Sequence, residues 1–321
     1  MSGGLNWRFL WDPVGFARSH VLVPHGNLMP TVKTHQSAGV TTHFSIDSAE
    51  RVAWCNIETE GLGLYKGKKN IHAISISTQR ADHWFPCFWL PWGGDKTYKV
   101  TLVDKRPFKV GGEPKIFLTA AVDGCSVFVE GTEEEPTVYH ANAMGQNPSG
   151  FDLNTQRYAV RVDRSMLMRD RLLAIPEPKR GTGSGLRVAE GGDYMIDFLQ
   201  ALPPQEEQRL KDEAAQWLRK KKIQPGQGTA QGANGAVRDM GIQVEAHQGT
   251  VFGVKKNKRW SFYYQRRVSM KYSTPKSGRT DLSKTKNWNT YSMWLSAEVV
   301  KFWPTGGNEV PRITPLPNWP G

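Results

Sequence analysis

The sequence predicts a mainly β protein of the α+β class, a β-sandwich core with peripheral helices and a β-rich, basic C-terminal region. Three observations predict it. Runs rich in β-branched and aromatic residues recur along the chain, a single long stretch has helical periodicity, and glycine-rich segments punctuate the middle. In chain order the strand runs are 41–46, 70–77, 98–103, 115–122, 126–130 and 135–141, then 260–264 and 291–295. Each alternates or is dense in residues that fit a pleated, half-buried surface.

The helix follows Pro203-Pro204. Glu206 and Glu207 suit its N-terminus and Arg219 to Lys222 its C-terminus, because the helix dipole favours acids at the start and bases at the end. Leu210, Ala214, Trp217 and Leu218 fall at i, i+4, i+7 and i+8, one apolar stripe expected to pack on the core. The glycine-rich stretches 179–185 and 225–235 read as linkers or exposed loops. The expected organisation is a β-sandwich region over 1–178, a linker or loop over 179–193, and a helix plus basic, aromatic-rich region over 194–321. The last is either a separate domain or packed onto the first.

Composition narrows the class. Of 321 residues, 38% are hydrophobic and 12 are Trp, which argues against a mainly disordered chain. No apolar run approaches the ~18–20 residues of a spanning helix, so no transmembrane segment is expected. The start of the chain lacks the basic and apolar regions of a Sec signal. Three cysteines, Cys55, Cys87 and Cys125, with no C-x-x-C, argue against a disulfide scaffold or a zinc ribbon. The net charge of +12 points to an anionic partner, but its distribution is uneven. Residues 251–321 hold thirteen Lys and Arg against three carboxylates, which is +10, and leave +2 for the first 250.

The stretch 119–143 carries the chemistry. Its strands 126–130 and 135–141 flank a four-residue loop, Gly131-Thr-Glu-Glu, a common hairpin length. If Glu130 pairs with Glu135, Cys125 falls directly opposite His140, with Cβ atoms about 4.5–5.5 Å apart. A free thiol, of pKa about 8.5, is largely unreactive at neutral pH. An adjacent imidazole turns it into a nucleophile for an amide carbon and then protonates the leaving amine. Gly124 permits a sharp turn, and backbone N–H groups around Gly124, Cys125 and Ser126 are placed to stabilise an oxyanion.

Gly124-Cys125, the short β run and His140 resemble the glutamine deamidases of the cytotoxic necrotizing factor class, whose scheme the Burkholderia lethal factor and the chemotaxis deamidase CheD share. In that family a small residue and Gly precede the nucleophile, and the catalytic His follows about a dozen to seventeen residues later; here the interval is 15. The third element is a backbone carbonyl that orients the His, in several members from a Thr six positions before the Cys, the place of Thr119. The likeness spans about 25 of the 321 residues. It departs from the frequent Leu-Ser-Gly-Cys at Val122-Asp123-Gly124-Cys125, and an inward Asp123 would raise the thiol pKa. The resemblance implies a bacterial effector or toxin that deamidates a glutamine on a host protein, a Rho-class GTPase or translation factor, in the host cytosol. It implies no metal or organic cofactor, and transglutamination where an amine replaces water. Delivery would proceed without a Sec signal; a bacterial cytoplasmic protein fits the same sequence.

Two other readings stand beside it. One is a cysteine protease with the same dyad. The other is a non-catalytic module whose tail, basic and aromatic, binds an anionic membrane, an acidic target protein or, less favoured, nucleic acid. Lys255, Lys256, Lys258, Arg259, Arg266 and Arg267 are the candidate docking residues. His83 and Cys87 lack further ligands at metal spacing, Cys87 is a weaker candidate nucleophile, and His35, His43 and His72 read as satisfied core histidines. The Glu133-Glu134-Glu135 tip reads as solvated.

Overall fold

A computed structural model describes residues 3–25, 33–37, 40–44, 52–59, 71–92, 96–102, 113–122, 126–141, 196–197 and 204–304. The linker expected over 179–193 lies outside them. The described residues are mostly strand, as expected.

Two mixed sheets face each other. The larger has eight strands in the order β1 (Val21–His25), β5 (Ile71–Ser77), β4 (Val52–Thr59), β6 (Phe85–Leu90), β8 (Ile116–Thr119), β14 (Gln243–Lys256), β15 (Arg259–Pro275) and β16 (Trp288–Trp303). The smaller has six, β11 (Ile196–Asp197), β9 (Ser126–Gly131), β10 (Pro136–Ala141), β7 (Lys96–Thr101), β3 (Val40–Phe44) and β2 (Lys33–Ser37), and β12 (Thr229–Gln231) pairs separately with β13 (Val237–Asp239). Strands from both expected regions thus share the larger sheet. The inner faces meet in one apolar cluster, with Phe88, Leu90, Phe117, Trp260 and Phe262 from the larger sheet against Tyr98, Val100, Val127, Val129 and Val138 from the smaller. Aromatic edges interlock there, and Phe117 and Phe262 meet edge-on at 5.4 Å. Gly253 permits this, since a Cβ at that position would lie 2.9 Å from the Phe262 ring and 3.1 Å from Phe117 Cβ.

The long strands have local causes. β14 and β15 are joined by Asn257-Lys258 with φ of 53° and 66°, the left-handed pair that a two-residue hairpin turn requires. Register shifts at Val244/Ala246 and Val268/Ser269 bend the ribbon. One end of it lies in the sandwich. The other supports an amphipathic helix, Pro204–Lys220, whose Leu210, Ala214 and Leu218 bury against Val268, Met270, Tyr272 and Met293.

Two helices that the sequence reading did not anticipate, α1 (Gly3–Trp11) and α2 (Pro13–Ser19), cover the outer face of the larger sheet. Asp12 caps α2, accepting from Gly15 N–H at 2.9 Å, and Pro13 opens it. Phe9 and Phe16 reach into a cluster with Cys55, Ile57, Ile74, Phe85, Trp89 and Phe252. A buried polar clamp fixes this layer. Gln265 Nε2 donates to the carbonyls of Ala17 (2.5 Å) and His20 (2.6 Å), and its Oε1 accepts from Leu22 N–H (2.7 Å). Thr250 Oγ1 and Arg267 Nη1 both donate to the Leu22 carbonyl, and Arg267 also donates to Thr250 Oγ1.

Gln265→Ala strands two carbonyls and one N–H in a dry interior. It is expected to lower stability by about 2–4 kcal/mol in urea unfolding; a loss below about 1 kcal/mol would contradict the clamp's role.

Candidate active site

The β9–β10 hairpin forms, with a register two residues from the expected one. Gly131 pairs with Pro136, so the four-residue loop runs over 132–135 and Glu130 faces Thr137. The cause is local. Gly131 has φ of 92° and sits so close to the Glu135 carbonyl that a Cβ would lie 2.8 Å from it, which keeps this glycine in the ladder. His140 therefore pairs with Val127, and Ala141 with Ser126. The expected direct pairing of His140 with Cys125 does not occur. Asp123, Gly124 and Cys125 lie outside the described residues.

A shift of two residues preserves the face. His140 points with Val138 into the space between the sheets, flanked by Val127 on β9 and Tyr98 on β7. Its side chain is fully buried. Burial pushes its pKa down to about 3, and the Leu90 and Pro91 carbonyls nearby offset only part of that. Neither ring nitrogen reaches hydrogen-bond geometry with a described residue. A buried imidazole with neither nitrogen hydrogen-bonded among the described residues is uncommon enough to require a reason.

Thr119 is also buried, but on β8 of the opposite sheet, where it is the ladder partner of Leu90 and its hydroxyl donates to the Ala120 carbonyl at 2.8 Å. The carbonyls beside His140 are thus those of Leu90 and Pro91, the β6 end next to Thr119, rather than Thr119's own. Ser126 is flanked in the ladder by Ala141 and Asp197, so its backbone lies within the sheet instead of at a turn.

The other two thiols are core residues. Cys55 and Cys87 are fully buried on adjacent strands, and burial first, then a hydrogen bond with Cys87, holds the Cys55 thiol well above its usual pKa. Such thiols make poor nucleophiles. His72 is buried against Phe16 and His20, whose ring centroids lie 5.6 and 5.0 Å away, and neither of its nitrogens has a hydrogen-bond partner among the described residues. It is a core histidine as expected, with the Glu58 backbone nearby but no partner of good hydrogen-bond geometry among the described residues.

The docking residues divide. Arg267 is fully buried in the clamp and is no surface residue. Lys255 pairs with Glu113 and lies over the Trp260 ring at 5.8 Å. Arg259 stands 4.0 Å from Glu133, which is half exposed and whose carbonyl accepts from Trp260 N–H at 2.7 Å. Arg266 is half-buried, while Lys256 and Lys258 are exposed at the β14–β15 turn. The acidic tip of one hairpin thus meets the basic tip of another.

Comparison with protein-family models finds no match for this chain, and comparison with curated proteins finds none either.

His72 and His140 fold uncharged. Burial first, then the His20 and Arg8 charges, pushes His72 down to about 4. The unfolded chain takes up both protons near pH 6.5, the folded chain only near 4 and 3. Stability is therefore complete above about pH 6.5 and falls as the pH drops toward 4, by a few kcal/mol for each residue. Urea unfolding at pH 7.5 and 5.0 is expected to show the loss, and His72→Phe to reduce it; identical midpoints for the wild type at the two pH values would contradict this.

Proposed function

We propose that this protein is a cysteine-dependent protein-glutamine deamidase in which Cys125 is the nucleophile and His140 its base. The observation that carries the reading is the hairpin register. Ser126, the residue after Cys125, is the ladder partner of Ala141, the residue after His140. Position 125 is one peptide step, about 3.8 Å between Cα atoms, from that pair. Among the described residues neither His140 ring nitrogen has a hydrogen-bond partner of good geometry, and the Leu90 and Pro91 carbonyls lie close by. The burial of Cys55 and Cys87 favours Cys125 among the three thiols.

The chemistry follows from a neutral imidazole. A His140 nitrogen takes the Cys125 proton as sulfur bonds to the carboxamide carbon of a substrate glutamine. Collapse breaks the C–N bond, and His140 returns the proton to the departing nitrogen, which leaves as ammonia. Water then gives a proton to His140 while its oxygen adds to the thioester carbon. The C–S bond breaks, sulfur regains the proton, and the side chain is released as glutamate. A primary amine in place of that water gives transglutamination. The substrate class, a host Rho-class GTPase or translation factor met by a bacterial effector in the host cytosol, rests on the resemblance of the 119–143 stretch.

Incubation with a eukaryotic lysate, read by mass spectrometry, is expected to yield one-dalton Gln-to-Glu changes that are lost in Cys125→Ser and in His140→Ala. The same changes from Cys125→Ser would sink the assignment, and new peptide termini without deamidation would make the dyad a protease instead.

A further inference from the structure

We infer that the face of α1 carrying Trp7, Leu10 and Trp11 is a contact surface for an anionic lipid bilayer. These three residues stand at i, i+3 and i+4, so one side of the helix presents them together. Trp7 is 65% exposed, Leu10 39% and Trp11 79%, and they make up three of the five large hydrophobic side chains exposed among the described residues. The indole rings adjoin, with centroids 6.0 Å apart, and with Arg8, Asp12 and Phe16 they line a groove of about 510 Å³.

The exposure is enforced from the other side of the helix. Asn6 Nδ2 donates to Asn56 Oδ1 and to the His83 carbonyl, both at 2.7 Å, and its Oδ1 accepts from Ile57 N–H at 2.7 Å. Phe9 is fully buried in the core. Rolling α1 to hide its indoles would break all of these contacts.

Charge and area select the occupant. Arg8 and Arg18 are exposed on the two helices, while Asp12, the acidic residue among them, has a carboxylate oxygen engaged in capping α2. Of the chain's +12, residues 1–250, which include both helices, carry +2. The apolar patch measures on the order of 400 Å², about half of what each partner buries in a standard protein–protein interface. It is too small for a second copy of the chain to hold by itself. Indoles instead favour the headgroup region of a bilayer, where an apolar body and a polar N–H are both accommodated, and neighbouring cations add attraction to acidic lipids. This surface is independent of the chemistry assigned to Cys125.

The test is sedimentation of the full chain with vesicles of phosphatidylcholine alone and with 30% phosphatidylserine. Wild type is expected to bind the phosphatidylserine vesicles, to release as salt rises, and to bind the neutral ones more weakly. Trp7→Ala/Trp11→Ala is expected to lose binding by about tenfold or more with an unchanged thermal midpoint, because both indoles are exposed. Lys256→Ala/Lys258→Ala, at the β14–β15 turn, is expected to bind within about twofold of wild type. No wild-type binding at low salt, equal binding to both vesicle types, or full binding by the double tryptophan variant would overturn the assignment, as would loss through the lysine variant alone.

Discussion

The fold depends on what β15 does with its two faces. Trp260, Phe262 and Tyr264 build the apolar contact with the smaller sheet. Gln265 and Arg267 point the other way and hold the end of α2 and the start of β1 through backbone carbonyls and one N–H. These hydrogen bonds join residues more than 240 positions apart. A polar group in a dry interior is tolerable only when its hydrogen bonds are made, so the side chains and the backbone they hold require one another.

The same wall sets the surroundings of His140. Its ring lies between sheets that meet through aromatic and branched side chains, and the polar groups nearest it are backbone carbonyls at the end of β6. Such a site keeps the imidazole neutral and opposes its protonation, because a charged ring would have little solvation there. The same dryness turns His72 into a group that opposes protonation. Surface charge is organised differently. Contacts with Glu113 and Glu133 engage part of the basic C-terminal region at its hairpin turn, so the formal charge of that region overstates the field there.

Much of this was legible from residue pattern. The strands over 71–77, 126–131 and 136–141 announce themselves by β-branched residues, and the helix over 204–220 by its stripe. β14 does not, because Gly249, Gly253 and its terminal lysines dilute the signal, and the packing of Phe117 and Phe262 over Gly253 supplies the reason for one of them. α1 has apolar residues all round, Phe9 inward and Trp7, Leu10 and Trp11 outward, so no single stripe appears; Asp12-Pro13 was the usable signal for α2. The face of His140 was legible from alternation, but its partner was not, since loop length alone does not say whether Gly131 ends a strand or begins a turn. The surroundings of His72 depend on tertiary neighbours, Phe16 and His20, that no local pattern reveals.

The order of strands in the larger sheet has a consequence for synthesis on the ribosome. β8 is four residues, all buried, and one of its edges is completed by β14, which begins about 120 residues later. At roughly 5–20 residues per second that edge emerges about 6–25 s before its partner. β15 and β16, which complete the wall, come later still. The nascent chain therefore carries an apolar sheet with an unpaired edge while about 120 further residues are made, and the interval is long compared with the time in which an open strand finds a wrong partner. Yield of this protein should depend on what shields Ile116–Thr119 during those seconds as much as on the stability of the finished sheet.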